Sequence, residues 1–169
     1  GLFVAGSRYT ASELQRNGFA PDRIEIIAPV PAAIDCARFQ SPGEYGRMLF
    51  VGQVVRGKGL DLLLAAAARL KGDWRLDVVG DGRQLGECRQ LAADLGIAHR
   101  VNFAGWVPNA ELDHWYRRAS FTVVPSRWPE PFGMIGLESM ARGRPVVAFD
   151  SGGICDWLAH EVSGLAVPS

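Results

Sequence analysis

Two glutamates eight residues apart, Glu130 and Glu138, stand in the segment whose residue types could do the most chemistry, Pro125 to Ala141. Glu130 lies between Pro129 and Pro131, so its backbone is stiff and extended. Gly133 then permits a tight turn into a helix. The free N–H groups at that helix start, around Phe132, Gly133, Met134 and Ile135, suit phosphate or sugar oxygens. Glu138 falls one turn on, on the face of Met134 and flanked by Leu137 and Met140. A carboxylate on an apolar face needs a partner, because burying it unpaired is costly. Paired hydroxyls of a ligand would serve, and so would Arg142 or Arg144.

A second segment runs Gly52-Gln53-Val54-Val55-Arg56-Gly57-Lys58-Gly59-Leu60. Positive charge from Arg56 and Lys58 beside a helix amino end is what a diphosphate needs, although charged loops are often just exposed. The glycine spacing is neither that of a P-loop nor that of a dinucleotide fingerprint. Gly80-Asp81-Gly82, Gly105-Trp106-Val107 and Gly152-Gly153 are weaker signals: each fits turn chemistry as well as a ligand. Trp106 could stack a nucleobase or simply cap the core. His99, His114 and His160 have no partner at metal-ligand spacing. No Gly-x-Ser-x-Gly elbow supports serine-hydrolase chemistry.

Short apolar runs alternate with helix-type runs, and these elements must position the two segments. Residues 2–5 and 24–27 read as strands. The capping-box spacing Thr10-Ala11-Ser12-Glu13 predicts a helix starting there and stopping near Gly18. Residues 28–46, with Pro29, Pro31, Pro42 and two glycines, read as a linker. Strands follow at 47–51, 74–79, 101–104, 121–124, 145–149 and 165–167. Helices are expected at 60–70, 84–95, 110–118 and 134–142, with a short one after Gly153. The nearly all-apolar surface of 60–70 suggests burial on more than one face. Strands separated by such helices imply an α/β domain, a Rossmann-like parallel sheet with helices on both faces. Ligands in such sheets sit outside the carboxyl ends of the strands, where all the glycine-rich segments fall.

The 169 residues make one domain's worth of chain, with 48% apolar and 21% charged side chains. Eighteen basic residues balance eighteen acidic ones, so no net field draws the chain to nucleic acid or anionic lipid. Cys36, Cys88 and Cys155 are odd in number and scattered, and read as buried or half-buried thiols in a reducing compartment. No apolar run approaches the roughly 20 residues that span a bilayer. A cytoplasmic domain is expected.

Glu130-Pro-Phe-Gly…Glu138 resembles the Glu-x7-Glu signature of glycosyltransferase family 4, the retaining group of the GT-B fold. The likeness continues in order through Phe50-Val51-Gly52…Lys58-Gly59, Val78 to Gly82, Arg100 to Gly105, and Arg144-Pro-Val-Val-Ala…Gly152-Gly153. Earlier, Ser7-Arg8-Tyr9-Thr10…Leu14 and Ile34-Asp35…Arg38-Phe39 are similar to the stretch leading from the acceptor domain into the donor domain. The resemblance implies one half of a GT-B fold, with residues 1–45 as the end of the acceptor region and linker and 46–169 as the nucleotide-sugar domain. It implies that Lys58 and Arg56 neutralise a donor diphosphate and that Glu138 binds ribose hydroxyls. Glu130 and the amides of Phe132 to Ile135 would hold the sugar and distal phosphate. Gly105, Trp106 and Val107 would line the base pocket, with Gly52, Gln53 and Gly82 completing the donor set. A UDP-, GDP- or ADP-sugar is the implied substrate, with no metal ion and a glycan or lipid-linked acceptor. For a full-length enzyme, a peripheral place at the inner face of the membrane is also implied.

Gln53 stands where the family usually has arginine; either Arg56 compensates or phosphate binding is weaker. The acceptor domain and the carboxy-terminal crossing helix have no counterpart here, so donor binding without turnover is expected. Two other readings stay open: half of another sugar-nucleotide enzyme, epimerase- or phosphorylase-like, and a non-catalytic nucleotide-sugar-binding module.

Overall fold

The computed structural model describes residues 1–31 and 42–168. Ile34, Asp35, Cys36, Arg38 and Phe39 lie outside them. Among the described residues, strands β1 (Phe3–Ala5), β2 (Ile24–Ile26), β3 (Arg47–Val51), β4 (Arg75–Val79), β5 (Val101–Gly105), β6 (Phe121–Val124), β7 (Val146–Phe149) and β8 (Gly164–Val167) form two sheets. Helices α1 (Arg8–Arg16), α2 (Leu60–Ala67), α3 (Leu85–Asp94), α4 (Leu112–Arg118) and α5 (Met134–Ala141) connect them.

The larger sheet has six strands in the order β5-β4-β3-β6-β7-β8, every pair parallel. A parallel sheet must be covered on both faces, because each crossover lays a helix on one of them. Side chains alternate along β3 accordingly. Met48 and Phe50 pack with Leu63 and Leu64 of α2 and with Cys88 and Ala92 of α3. Leu49 faces the other way, into Leu112 and Tyr116 of α4. Thr122, paired with Leu49 across the β3–β6 ladder, accepts the Ser139 hydroxyl of α5 at 2.7 Å. Helices therefore lie on both faces, as the alternation of strands and helices predicts.

The chain leaves β3 toward β4 and β5 on one side and later enters β6, β7 and β8 on the other. The crevice at the carboxyl ends of β3 and β6 is the point where strand order reverses, the place where open α/β sheets hold their ligands.

Two expectations need correction. The first helix is capped by Ser7, not Thr10: Ser7 is extended, its hydroxyl accepts the Thr10 amide at 3.0 Å, and α1 runs from Arg8. Ser7 sits three residues before that amide, so it satisfies a first-turn donor that the Thr10 box would have left exposed. Helix α2 buries one stripe, Leu60, Leu63, Leu64 and Ala67, while Leu62 is exposed. Its apolar surface exceeds what the sheet covers.

Strands β1 and β2 pair in parallel as a separate two-stranded sheet with α1 as its crossover. Buried Asp77 in β4 is satisfied by Arg47 at 2.8 Å and Asn102 at 3.0 Å. Cys88 is buried and its thiol is pushed up to about 11 by that burial, whereas Cys155 is exposed rather than buried. Among the described residues no helix is long and apolar enough to cross a membrane.

Candidate functional site

The loop after β3 makes a 3-10 turn over Arg56–Lys58 and then enters α2 through Gly59. The loop after β6 carries Ser126, Trp128 and Glu130 into α5 through Gly133. The two loops meet at a backbone bond, the Arg127 amide donating to the Gly57 carbonyl at 2.8 Å, and at an ion pair. Lys58 Nζ donates to Glu130 Oε1 at 2.6 Å, and the Ser126 hydroxyl bonds the same carboxylate oxygen. Glu130 is only 6% exposed, a burial its carboxylate tolerates because both partners are in place.

Beside this pair opens a cavity of about 340 Å³ lined by Gly52, Lys58, Glu130, Phe132, Gly133 and Met134. Gly133 has φ +84° and no side chain caps α5; the Gly136 amide turns back to the Gly133 carbonyl at 3.1 Å, which leaves the Met134 and Ile135 amides uncapped beside the cavity. A second cavity of about 250 Å³ has Gln53, Asp81, Trp106, Val107, Asn109 and Glu138 in its wall. Val51, Gly52 and Ile135 line both. The two adjoin along these shared walls as one cleft, with the Lys58–Glu130 pair and the start of α5 at one end and Trp106 with Glu138 at the other.

Glu138 is held above the ordinary glutamate range by burial, against the opposing pull of Arg142 and the Tyr116 hydroxyl. Arg142, which the sequence offers as a structural partner, donates to the Glu138 carbonyl at 3.0 Å and to Asp113 at 2.7 Å. Arg144 turns away to the carbonyls of Tyr116 and Arg117. The Tyr116 hydroxyl is fully buried and approaches the Glu138 carboxylate without a well-formed hydrogen bond. Burial also pushes Tyr116 up, so it stays a donor.

Most sequence-predicted residues thus converge on the cleft. Three do not line it. Arg56 is exposed at the outer end of the Lys58 turn. Gly82 packs against the backbone of Val54, where a Cβ would sit 2.4 Å from the Val54 carbonyl oxygen. Gly105 ends β5 at φ +75°, and its carbonyl accepts the Gly80 amide at 2.7 Å. Sequence reasoning did not single out Ser126 or Tyr116. Ser126 had a signal, as the first polar residue after β6. Among the described residues no group of three or more His, Cys, Asp or Glu side chains could hold a metal ion.

Residues 35–169 match the family model described as glycosyl transferases group 1. The chain is 38% identical to D-inositol 3-phosphate glycosyltransferase of Frankia alni over 97% of its own length and 47% of that protein's. The enzyme of the same name from Streptosporangium roseum is 39% identical, over 97% and 42%. The chain thus spans about half the length of the curated relatives it matches. Among solved structures, Anabaena HepE in complex with UDP-glucose superposes at a TM-score of 0.87, with 24% identity over 99% of this chain and 50% of that one. Sucrose-phosphate synthase from Thermosynechococcus elongatus gives 0.79, with 30% identity over 98% and 44%. With its all-parallel sheet and its cleft at the β3–β6 switch point, the chain has the Rossmann-like fold of GT-B glycosyltransferases and belongs to the family of glycosyl transferases group 1.

Proposed function

We propose that residues 46–169 form the donor-binding domain of a retaining glycosyltransferase, and that residues 1–45 are the end of the acceptor side and its linker. The observation that carries this reading is the Lys58–Glu130 pair standing beside the uncapped start of α5, at one end of the cleft. A nucleoside diphosphate sugar fits that polarity. Lys58 and the amides from Phe132 to Ile135 neutralise the diphosphate, with Arg56 at the rim and Gln53 in the wall. Glu130 receives hydroxyls of the sugar, Glu138 those of the ribose, and Trp106 with Val107 flanks the base.

In the transfer, the bond between the anomeric carbon and the diphosphate oxygen breaks and its electron pair leaves on the diphosphate. The acceptor hydroxyl oxygen takes its place on the same face, its proton passing to the departing diphosphate oxygen. Charge develops on the leaving group, where preorganised cations and amides are most effective, and no metal ion is called for. Family membership favours transfer over the epimerase and phosphorylase alternatives. HepE was solved with UDP-glucose, which favours uridine as the base and glucose as a first sugar to try. The acceptor is sought among phosphorylated polyols, given the names of the curated relatives, together with glycans and lipid-linked saccharides.

Thermal unfolding against UDP, GDP, ADP and their sugars tests the assignment. A ligand at 100 times its Kd stabilises by about 2.7 kcal/mol, which for a chain of this size raises Tm by roughly 5–10 °C. A flat response across the whole panel would remove the donor-site assignment.

Glu138 adds a pH dependence. Ribose hydroxyls are held by the carboxylate, and burial raises the pKa of Glu138, so affinity is expected to fall on acidification with a midpoint above 4.5. Tyr116 is one of two groups that favour the charged form. Tyr116→Phe therefore shifts the midpoint to still higher pH. Titrations of nucleotide affinity between about pH 5 and 8 read this directly; an unmoved midpoint denies Tyr116 the role.

A further inference from the structure

Three consecutive carbonyls in the loop that carries Glu130 each have a dedicated donor. The Glu130 carbonyl accepts the Gly153 amide at 2.7 Å. The Phe132 carbonyl accepts the Trp157 indole N–H at 2.6 Å. The Pro131 carbonyl, between them, accepts the hydroxyls of Ser7 at 2.5 Å and Thr10 at 3.2 Å. Gly153 and Trp157 belong to the segment just after β7, but Ser7 lies 124 positions upstream, fully buried at the start of α1. At the same end of α1 the Arg8 amide donates to Asp156 at 2.7 Å and its guanidinium at 3.0 Å.

In a trans peptide unit the C=O and the following N–H point in opposite directions. Holding the Pro131 and Phe132 carbonyls on the side of α1 and Trp157 aims the amides of Phe132 and Gly133 the other way. Those are two of the residues lining the first cavity.

We propose that Ser7 and Thr10 are positioning residues for the sugar-diphosphate end of the donor, so that donor binding and docking of the β1–α1–β2 unit are coupled. This rests on the donor-site reading above. The hydroxyls touch no donor atom; they fix the peptide plane whose N–H does. Coupling of this kind is reciprocal: what holds α1 in place sharpens the site, and a bound donor holds α1 in place.

Ser7 also caps α1, so the test must separate the two roles. Glycine is nearly as good a cap as serine but has no hydroxyl, and valine keeps the shape of threonine. Ser7→Gly/Thr10→Val in the whole chain is therefore the variant to make. Hydrogen exchange of the unliganded protein is expected to quicken about tenfold at the amides of residues 132–135 and to stay unchanged in β3 to β5. Affinities are then measured with the monophosphate, diphosphate and sugar nucleotide of the base selected by the thermal series: UMP, UDP and UDP-glucose for uracil. The variant is expected to lose about tenfold for the diphosphate and the sugar nucleotide and nothing for the monophosphate. UDP-glucose is expected to slow exchange across α1 in the wild type and not in the variant. A wild-type chain that binds none of the three overturns the donor-site reading itself. Wild-type binding with unchanged loop exchange, or an equal loss for all three ligands, overturns the role of Ser7 and Thr10 alone.

Discussion

Replacing Lys58 with methionine is expected to lower nucleoside-diphosphate affinity about 100-fold and to cost about 2 to 3 kcal/mol of stability. The stability loss arises because Glu130, 6% exposed, is left with the Ser126 hydroxyl alone. It stays at the low end for a broken buried pair because the Lys58 side chain is itself 27% exposed and keeps some contact with water. The same stability loss would follow if the pair were structural and bound nothing, so stability alone does not discriminate. The double variant Lys58→Met/Glu130→Gln does. It removes both charges, so most of the stability should return, while affinity should not. Recovery of both in the double variant would make the pair a structural strut. Arg56→Ala is the second comparison. Arg56 is exposed at the outer end of the turn, so its loss should weaken binding severalfold at most and leave Tm alone. An effect equal to that of Lys58→Met would show that Arg56 takes over for the missing arginine at Gln53. Equilibrium titration and thermal unfolding of the wild type and the three variants supply every number needed.

The fold was legible because it depends on local periodicity. Each strand of the larger sheet is a short apolar run ended by glycine, proline or a polar turn, and Gly96 and Gly143 stop two of the helices between them, so the parallel α/β architecture follows from order and spacing alone. Errors arose where two local signals competed or where coverage is tertiary. Thr10 carries the capping-box spacing, and only backbone position shows that Ser7, three residues earlier, takes the Thr10 amide. The apolar length of α2 says that it packs, but not that the sheet covers only the stripe of Leu60, Leu63, Leu64 and Ala67.

The site was half legible. Glu130 and Glu138 stand out because each is a carboxylate in an apolar or rigid context, and Lys58 because it precedes a helix start. Their mutual arrangement does not stand out. Lys58 and Glu130 are 72 residues apart, and nothing in either segment specifies the 2.6 Å contact. Gly82 and Gly105 illustrate the converse. A glycine after a strand signals a backbone constraint, and at Gly82 that constraint is the backbone of Val54. The contact of the Ser7 and Thr10 hydroxyls with the Pro131 carbonyl was beyond sequence reasoning, because nothing in either segment specifies a bond across more than 120 residues.

Gly59→Ala is expected to be highly disruptive for so small a substitution, costing about 3 kcal/mol and lowering Tm by roughly 6–12 °C. Gly59 joins the Lys58 turn to α2 at φ +71°, a left-handed conformation that a residue with a Cβ adopts at a cost. The Cβ would also stand 1.9 Å from the Pro125 carbonyl oxygen, a backbone atom at the end of β6 that cannot swing aside. Relief requires the β3–α2 loop to move away from the β6–α5 loop, which strains the contacts that span them, Lys58–Glu130 and the Arg127 amide on the Gly57 carbonyl. Affinity should therefore fall further than the stability loss explains when both are measured at a temperature where the variant is fully folded. Gly86→Ala is the control. Gly86 is exposed near the start of α3, and a Cβ there meets nothing within 4 Å. Alanine at that position should stabilise by up to ~1 kcal/mol and leave nucleotide affinity as it was. If Gly59→Ala lowers Tm but binds its nucleotide as tightly as the wild type, the Lys58 turn is not the diphosphate site, whatever the fold and the family suggest.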